Sequence, residues 1–177
     1  VSEIVQNSGA LAALKEDGSV VTWGQSDGGG VSSSVASKLT SGVSRVCPSS
    51  RAFAALKEDG SVVTWGDPGV GGDSSSVASQ LSSGVTKIVA HSRAFAAIKE
   101  NGSVVSWGYS TPNSTVIDSG QTSAVVEIVG NGRAFAAIKE DGSVFTWGFS
   151  SRGGNSSSVS NQLSSGVKKI IYKDSTF

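Results

Sequence analysis

Phe53-Ala54-Ala55-Leu56-Lys57-Glu58-Asp59-Gly60-Ser61-Val62-Val63-Thr64-Trp65-Gly66 reads as two short apolar strands joined by a tight turn. The same phrase recurs as LAALKEDGSVVTWG at residues 11–24, FAAIKENGSVVSWG at 95–108 and FAAIKEDGSVFTWG at 135–148. Its tryptophans, Trp23, Trp65, Trp107 and Trp147, are spaced 42, 42 and 40 residues apart. A fixed period of this length is the mark of a repeat architecture, in which each unit is one supersecondary element.

Upstream of each phrase runs a Val-x-x-Ile/Val-Val/Cys pattern, beginning at Val1, Val43, Val85 and Val125, with a fifth beginning at Val167. The chain therefore divides into units 1–42, 43–84, 85–124 and 125–166, with a partial fifth at 167–177, all within a single repeat domain of 177 residues. Each unit carries three strands: the Val-rich run, the Ala-rich run and the run ending in Trp-Gly. Asp-Gly, or Asn101-Gly102 in the third unit, predicts a type I′ turn with that pair in its two central places.

Alternation along Ala52–Leu56 puts Ala52, Ala54 and Leu56 on one side of the sheet, Phe53 and Ala55 on the other. Sheets stacked about 10 Å apart need small residues opposite large ones, and each unit supplies both kinds of face. A lone three-stranded sheet could not bury its apolar faces, so units must stack on units. The Gly/Ser-rich connectors look flexible, yet Val35/Leu39, Val77/Leu81 and Val159/Leu163 recur four apart and predict a packed loop or one helical turn. The third connector, from Tyr109 to Ile117, is two residues shorter and lacks the Gly-Gly.

The phrase at 53–66 resembles the repeat signature of the regulator-of-chromosome-condensation family, a strand followed by Glu-Asp-Gly and Val-x-x-Trp-Gly. It is also similar to the three-stranded blades of the propeller-type β-lactamase inhibitor protein. The resemblance covers nearly the whole chain. It implies an all-β fold, a β-propeller-like array of about four three-stranded blades, forming an incomplete ring or part of a larger propeller. The sequence departs from the family where members often carry a histidine before the second strand; Ala10, Ala52, Ala94 and Ala134 stand there. Neither the sensor motif of the ultraviolet-sensing members nor the nucleotide-exchange insertion of the chromosome-associated members has a counterpart.

Composition narrows the function. Fourteen basic residues balance fourteen acidic ones and are scattered, which argues against a nucleic-acid partner. No apolar run nears the ~20 residues of a membrane-spanning helix, and no leader pattern is present. Methionine is absent, which predicts that Val1 is not the start of translation and that the sequence is a processed product or an excerpt.

His91 is the only histidine and Cys47 the only cysteine, so neither a repeated triad nor a His/Cys metal cluster can be built. His91 stands at the place of Asn7, Ser49 and Asn131 and reads as a solvated loop residue; Cys47 stands where Val5, Val89 and Val129 stand and reads as a buried small side chain. The Glu-Asp pairs belong to turns rather than to a shared pocket. The tryptophans read as packing anchors. Asn113-Ser114-Thr115 and Asn155-Ser156-Ser157 match the glycosylation pattern, which a Ser-rich chain also produces by chance.

Arg51, Arg93 and Arg133 repeat at one loop place, where they form either an arc of binding residues or covers for their own sheet edges. These observations predict no catalytic, cofactor or metal site. They predict a non-enzymatic protein–protein interaction module, a scaffold or accessory subunit, with Arg51, His91, Arg93, Tyr109, Asn113 and Arg133 as partner contacts. A glycan-binding surface array and an enzyme-inhibitor propeller are the alternatives. They also predict a protein partner, with another chain or further repeats as the two ways in which the ring is completed.

Overall fold

The computed structural model describes residues 1–109, 116–117 and 124–171. Four antiparallel sheets follow one another along the chain. They are β1 (Glu3–Gln6), β2 (Ala10–Leu14) and β3 (Val20–Gly24); β4 (Val43–Pro48), β5 (Ala52–Lys57) and β6 (Val62–Gly66); β7 (Val85–His91), β8 (Ala94–Lys99) and β9 (Val104–Gly108); and β11 (Val125–Gly130), β12 (Ala134–Lys139) and β13 (Val144–Gly148). The third sheet gains a fourth strand: β10 (Val116–Ile117), from the short connector, pairs with Val105 and Val104 on the outer edge of β9. That connector is the one without Gly-Gly, and its β-branched pair suits an edge strand.

Register is the same in every sheet. Phe53 faces Trp65 across β5 and β6, Phe95 faces Trp107, and Phe135 faces Trp147. Their rings stack at centroid distances of 5.3, 5.3 and 5.1 Å, an offset arrangement that adds to the area each ring buries.

The hairpin turn differs from the expected type. The Gly60 N–H donates to the Lys57 carbonyl at 3.0 Å, so Glu58 and Asp59 are the central pair and Gly60 is the third loop residue, with φ +75°. This is the three-residue loop in which a left-handed glycine ends the turn. Asp59 is there as an acceptor instead: its Oδ1 takes hydrogen bonds from the Ser61 N–H at 2.9 Å and the Ser61 hydroxyl at 2.6 Å. Asp17 and Asn101 repeat the arrangement with Ser19 and Ser103. These serine bonds hold the Asp17 and Asp59 carboxyls below the usual carboxylate range.

The core lies between sheets, as the two kinds of face require. Ala10, Ala12, Leu14 and Val20 of unit 1 pack against Phe53, Ala55, Val63 and Trp65 of unit 2. Ala52, Ala54 and Leu56 meet Phe95, Ala97, Val105 and Trp107 in the next junction, and Ala94, Ala96 and Ile98 meet Phe135, Ala137 and Trp147 in the third. Connector residues close the first two junctions, Val35 and Leu39 at the first and Val77 and Leu81 at the second. Val77 and Leu81 are buried, beside the short 3-10 turn Ser75–Val77, in line with the expected packed turn. The array is open: Trp23, with no sheet before it, is 43% exposed, against 3% for Trp65.

Candidate functional site

Each sheet has one end formed by the loop before its second strand and the loop after Trp-Gly. Strand pairing brings them together, since Ala52 faces Gly66, Ala94 faces Gly108 and Ala134 faces Gly148. The residue after Trp-Gly then donates its N–H back to the first loop. Gln25 bonds the Gly9 carbonyl at 2.8 Å, Asp67 that of Arg51 at 3.0 Å, Tyr109 that of Arg93 at 2.9 Å and Phe149 that of Arg133 at 3.1 Å.

This backbone clip decides what each arginine touches. Arg51 is bonded to Asp27 of unit 1 and lies 3.7 Å from Asp67 of its own unit. The Arg93 guanidinium carbon sits 5.2 Å from the Tyr109 ring centroid, and that of Arg133 sits 5.5 Å from the Phe149 ring. Tyr109 and Phe149 stack on each other across the junction of units 3 and 4 at 5.9 Å. Each arginine thus reaches the residue after Trp-Gly of its own unit, Arg51 reaching Asp27 as well.

The rim is electrostatically divided. At units 1 and 2 the arginine is neutralised by two carboxylates. At units 3 and 4, Arg93 and Arg133 meet aromatic faces, and Arg152 joins them around a cleft of about 800 Å³ that also takes in Asn131, Phe135 and Ile170. Among the described residues no carboxylate lines this cleft. Tyr109 beside it is 49% exposed.

His91 is not a solvated loop residue. It ends β7, is 7% exposed and packs against Phe135 with ring centroids 4.4 Å apart. Its Nδ1 accepts from the Arg93 N–H at 3.0 Å, as Asn131 Oδ1 accepts from the Arg133 N–H at 2.9 Å and Asn7 Oδ1 from the Gly9 N–H. The variable place is a loop-capping acceptor, which Asn, Ser and neutral His can all supply. Burial lowers the imidazole pKa to about 4. Asn113 lies outside the described residues.

Cys47 is buried and its thiol points at the Ile88 carbonyl, 3.7 Å away; burial pushes its pKa up. Among the described residues no three His, Cys, Asp or Glu side chains gather as metal ligands would. Among the described residues no helix is long and apolar enough to cross a membrane.

No protein-family model matches the chain, and no curated protein matches it. Solved structures do. Human WBSCR16 superimposes with a TM-score of 0.60 at 20% identity, covering 82% of this chain and 48% of its own. The fold is that of the RCC1-type β-propellers. Prp20p from Saccharomyces cerevisiae, studied for its binding to Gsp1p and histones, shares this RCC1-type fold at a TM-score of 0.53 and 18% identity, with coverage of 83% and 45%. The ectodomain of the Arabidopsis thaliana receptor kinase ACR4 matches at 0.53 and 22%, with coverage of 82% and 52%. The chain spans about half the length of these structures.

Proposed function

We propose that this chain is a non-enzymatic protein-interaction module, a scaffold or accessory subunit, that docks an acidic segment of its partner on the rim of units 3 and 4. The observation that carries this reading is the cluster Arg93–Tyr109–Phe149–Arg133, two guanidinium–aromatic contacts joined by a ring stack at an exposed edge. Arginine and tyrosine are the residue types in which binding energy concentrates. A guanidinium on an aromatic face keeps its outer N–H groups for a carboxylate, which it can meet with two bonds at once. Arg51, held between Asp27 and Asp67, contributes less. The fold supports the reading in a general way, because Prp20p binds Gsp1p and histones and yeast RCC1 has been crystallised with Kap60.

The test is fluorescence anisotropy with a labelled glutamate-rich peptide and its lysine-for-glutamate counterpart. The glutamate peptide should bind, more weakly as salt rises. Arg93→Ala with Arg133→Ala should weaken binding by roughly tenfold or more, and Arg51→Ala should do so by much less. Equal binding of the two peptides, or no loss in the double variant, would rule the proposal out.

A further inference from the structure

The outermost strand of a sheet leaves half of its main-chain groups without a neighbouring strand. In unit 2 the Lys57 N–H donates to the Ser61 carbonyl at 2.9 Å, so the next pair, Leu56 and Val62, turns its main-chain groups away from each other. Val62 spends its outward N–H on the Leu81 carbonyl at 2.9 Å. Thr64, two residues on, points its own groups the same way. β6 pairs only with β5, and among the described residues neither the Thr64 N–H nor its carbonyl has a partner. Thr64 is half-buried, where an unpaired main-chain group is costly.

Unit 3 shows what this edge can take. There β10 lies along β9, with Val116 opposite Val105 and Ile117 opposite Val104. Val104 and Val105 are the counterparts of Val62 and Val63. The second connector instead forms the turn Ser75–Val77 and returns to β6 at Leu81, so no strand of unit 2 runs beside Thr64.

A cleft of about 450 Å³ lies at this edge. It is lined by β6 from Val62 to Thr64 and by both flanking connectors, through Val35 and Lys38 of the first and Ser74 and Leu81 of the second. All of its lining falls between residues 35 and 82, and unit 2 is stacked on a sheet at either side, so the cleft is interior to the array.

Its charge sets it apart. Lys57 belongs to a series in which Lys15 pairs with Asp17, Lys99 donates to the Gln80 carbonyl at 2.7 Å and Lys139 lies over the Phe145 ring. Among the described residues the Lys57 ammonium has no ion pair or hydrogen bond, its charge reaching Asp59 across the turn without contact. The Lys38 ammonium, at the place of Gln80, has none either. Asp73 is the one carboxylate of the lining, and its Oδ1 is taken by the Ser75 N–H at 2.8 Å.

We propose that this cleft binds an extended acidic segment of a partner protein, which adds to β6 at Thr64 as a short fourth strand and sets a carboxylate against Lys38 and Lys57. Main-chain bonds to Thr64 supply affinity, and the two lysines supply the preference for acid. The site is separate from the rim around Arg93 and Arg133, and neither depends on the other.

The probe is the end-capped hexapeptide Ser-Thr-Val-Ile-Asp-Ser, a copy of residues 114–119, beside its counterpart with lysine for aspartate. Each is titrated into the isotope-labelled chain and followed by amide NMR. Saturable shifts are expected at Thr64 and its neighbours, with slowed hydrogen exchange of the Thr64 amide. The lysine peptide should bind more weakly by roughly tenfold or more, as should the aspartate peptide to Lys38→Glu with Lys57→Glu. Lys38→Glu alone, at an exposed position, should weaken binding in smaller measure. Arg93→Ala with Arg133→Ala should leave it unchanged, which separates failure here from failure at the rim. Shifts confined to the rim, equal binding of the two peptides, no loss in the lysine variants or no saturable shift overturns the proposal. Free glutamate that moves the same resonances, with no protection of the Thr64 amide by the peptide, overturns strand addition in favour of a simple anion site.

Discussion

Gly71 lies so close beneath the Phe95 ring that a Cβ built on it would stand 2.5 Å from Phe95 Cδ2. The contact joins the end of one short turn to the aromatic face of the next sheet, so a backbone detail in unit 2 sets how near unit 3 can approach. Gly71 also has φ +101°, a conformation that side chains resist.

Gly71→Ala should therefore cost roughly 2–4 kcal/mol, combining overpacking with backbone strain. Gly153 has a similar φ of +94°, and among the described residues only Asn131 Nδ2, at 3.8 Å, comes near where its side chain would begin, so Gly153→Ala should cost only about 1 kcal/mol. Urea unfolding midpoints of the two variants measure the difference. Equal losses would mean that the Phe95 contact is not what makes the glycine necessary.

Trp107→Phe retains a ring against Phe95 but removes the donor to the buried Gly71 carbonyl. A buried acceptor left without its partner, together with the lost volume, should cost about 2–3 kcal/mol. A loss below ~1 kcal/mol in thermal or urea unfolding would show that packing alone holds the junction.

His91 makes stability depend on pH in a particular window. Its folded pKa, drawn down by burial to about 4, lies below the roughly 6.5 of an unfolded histidine. As pH falls through about 6.5 the unfolded chain takes up the proton first, so stability declines from there toward pH 4, by on the order of 3 kcal/mol. His91→Asn keeps a capping acceptor, as Asn131 does, and should abolish this portion. Aspartates held low by serine bonds lose their contribution at more acid pH in both chains, so the difference between them isolates the imidazole. Identical unfolding curves at pH 7 and pH 4.5 for the two chains would refute it.

Cys47 should resist thiol reagents in the folded chain and react once urea unfolds it, because burial disfavours its thiolate. Rapid labelling of the native protein would show that the face of unit 2 on which it sits is open to solvent.

The stacking of sheets was legible because packing imposes a pattern on every unit. Ala52, Ala54 and Leu56 alternate with Phe53 and Ala55, and no other arrangement buries both sets. The turn was misassigned because Asp-Gly serves two loops: the sequence does not say whether Asp59 adopts a special backbone or accepts bonds from Ser61. His91 was hidden for a related reason. A place filled by Asn, Ser and His looks unconstrained by size or polarity class, whereas what these share is an acceptor atom at the right reach. The rim pairs were missed because Arg93 and Tyr109 are 16 residues apart, joined by strand register rather than by any local spacing.

The clip between the residue after Trp-Gly and the loop facing it is made entirely by main-chain atoms. Its side chains can accordingly be exchanged, Gln25, Asp67, Tyr109 and Phe149 already being four different choices, without disturbing the strands beneath. New specificity can be written on this edge one unit at a time, while the stacked alanines and aromatics inherit no cost from the change.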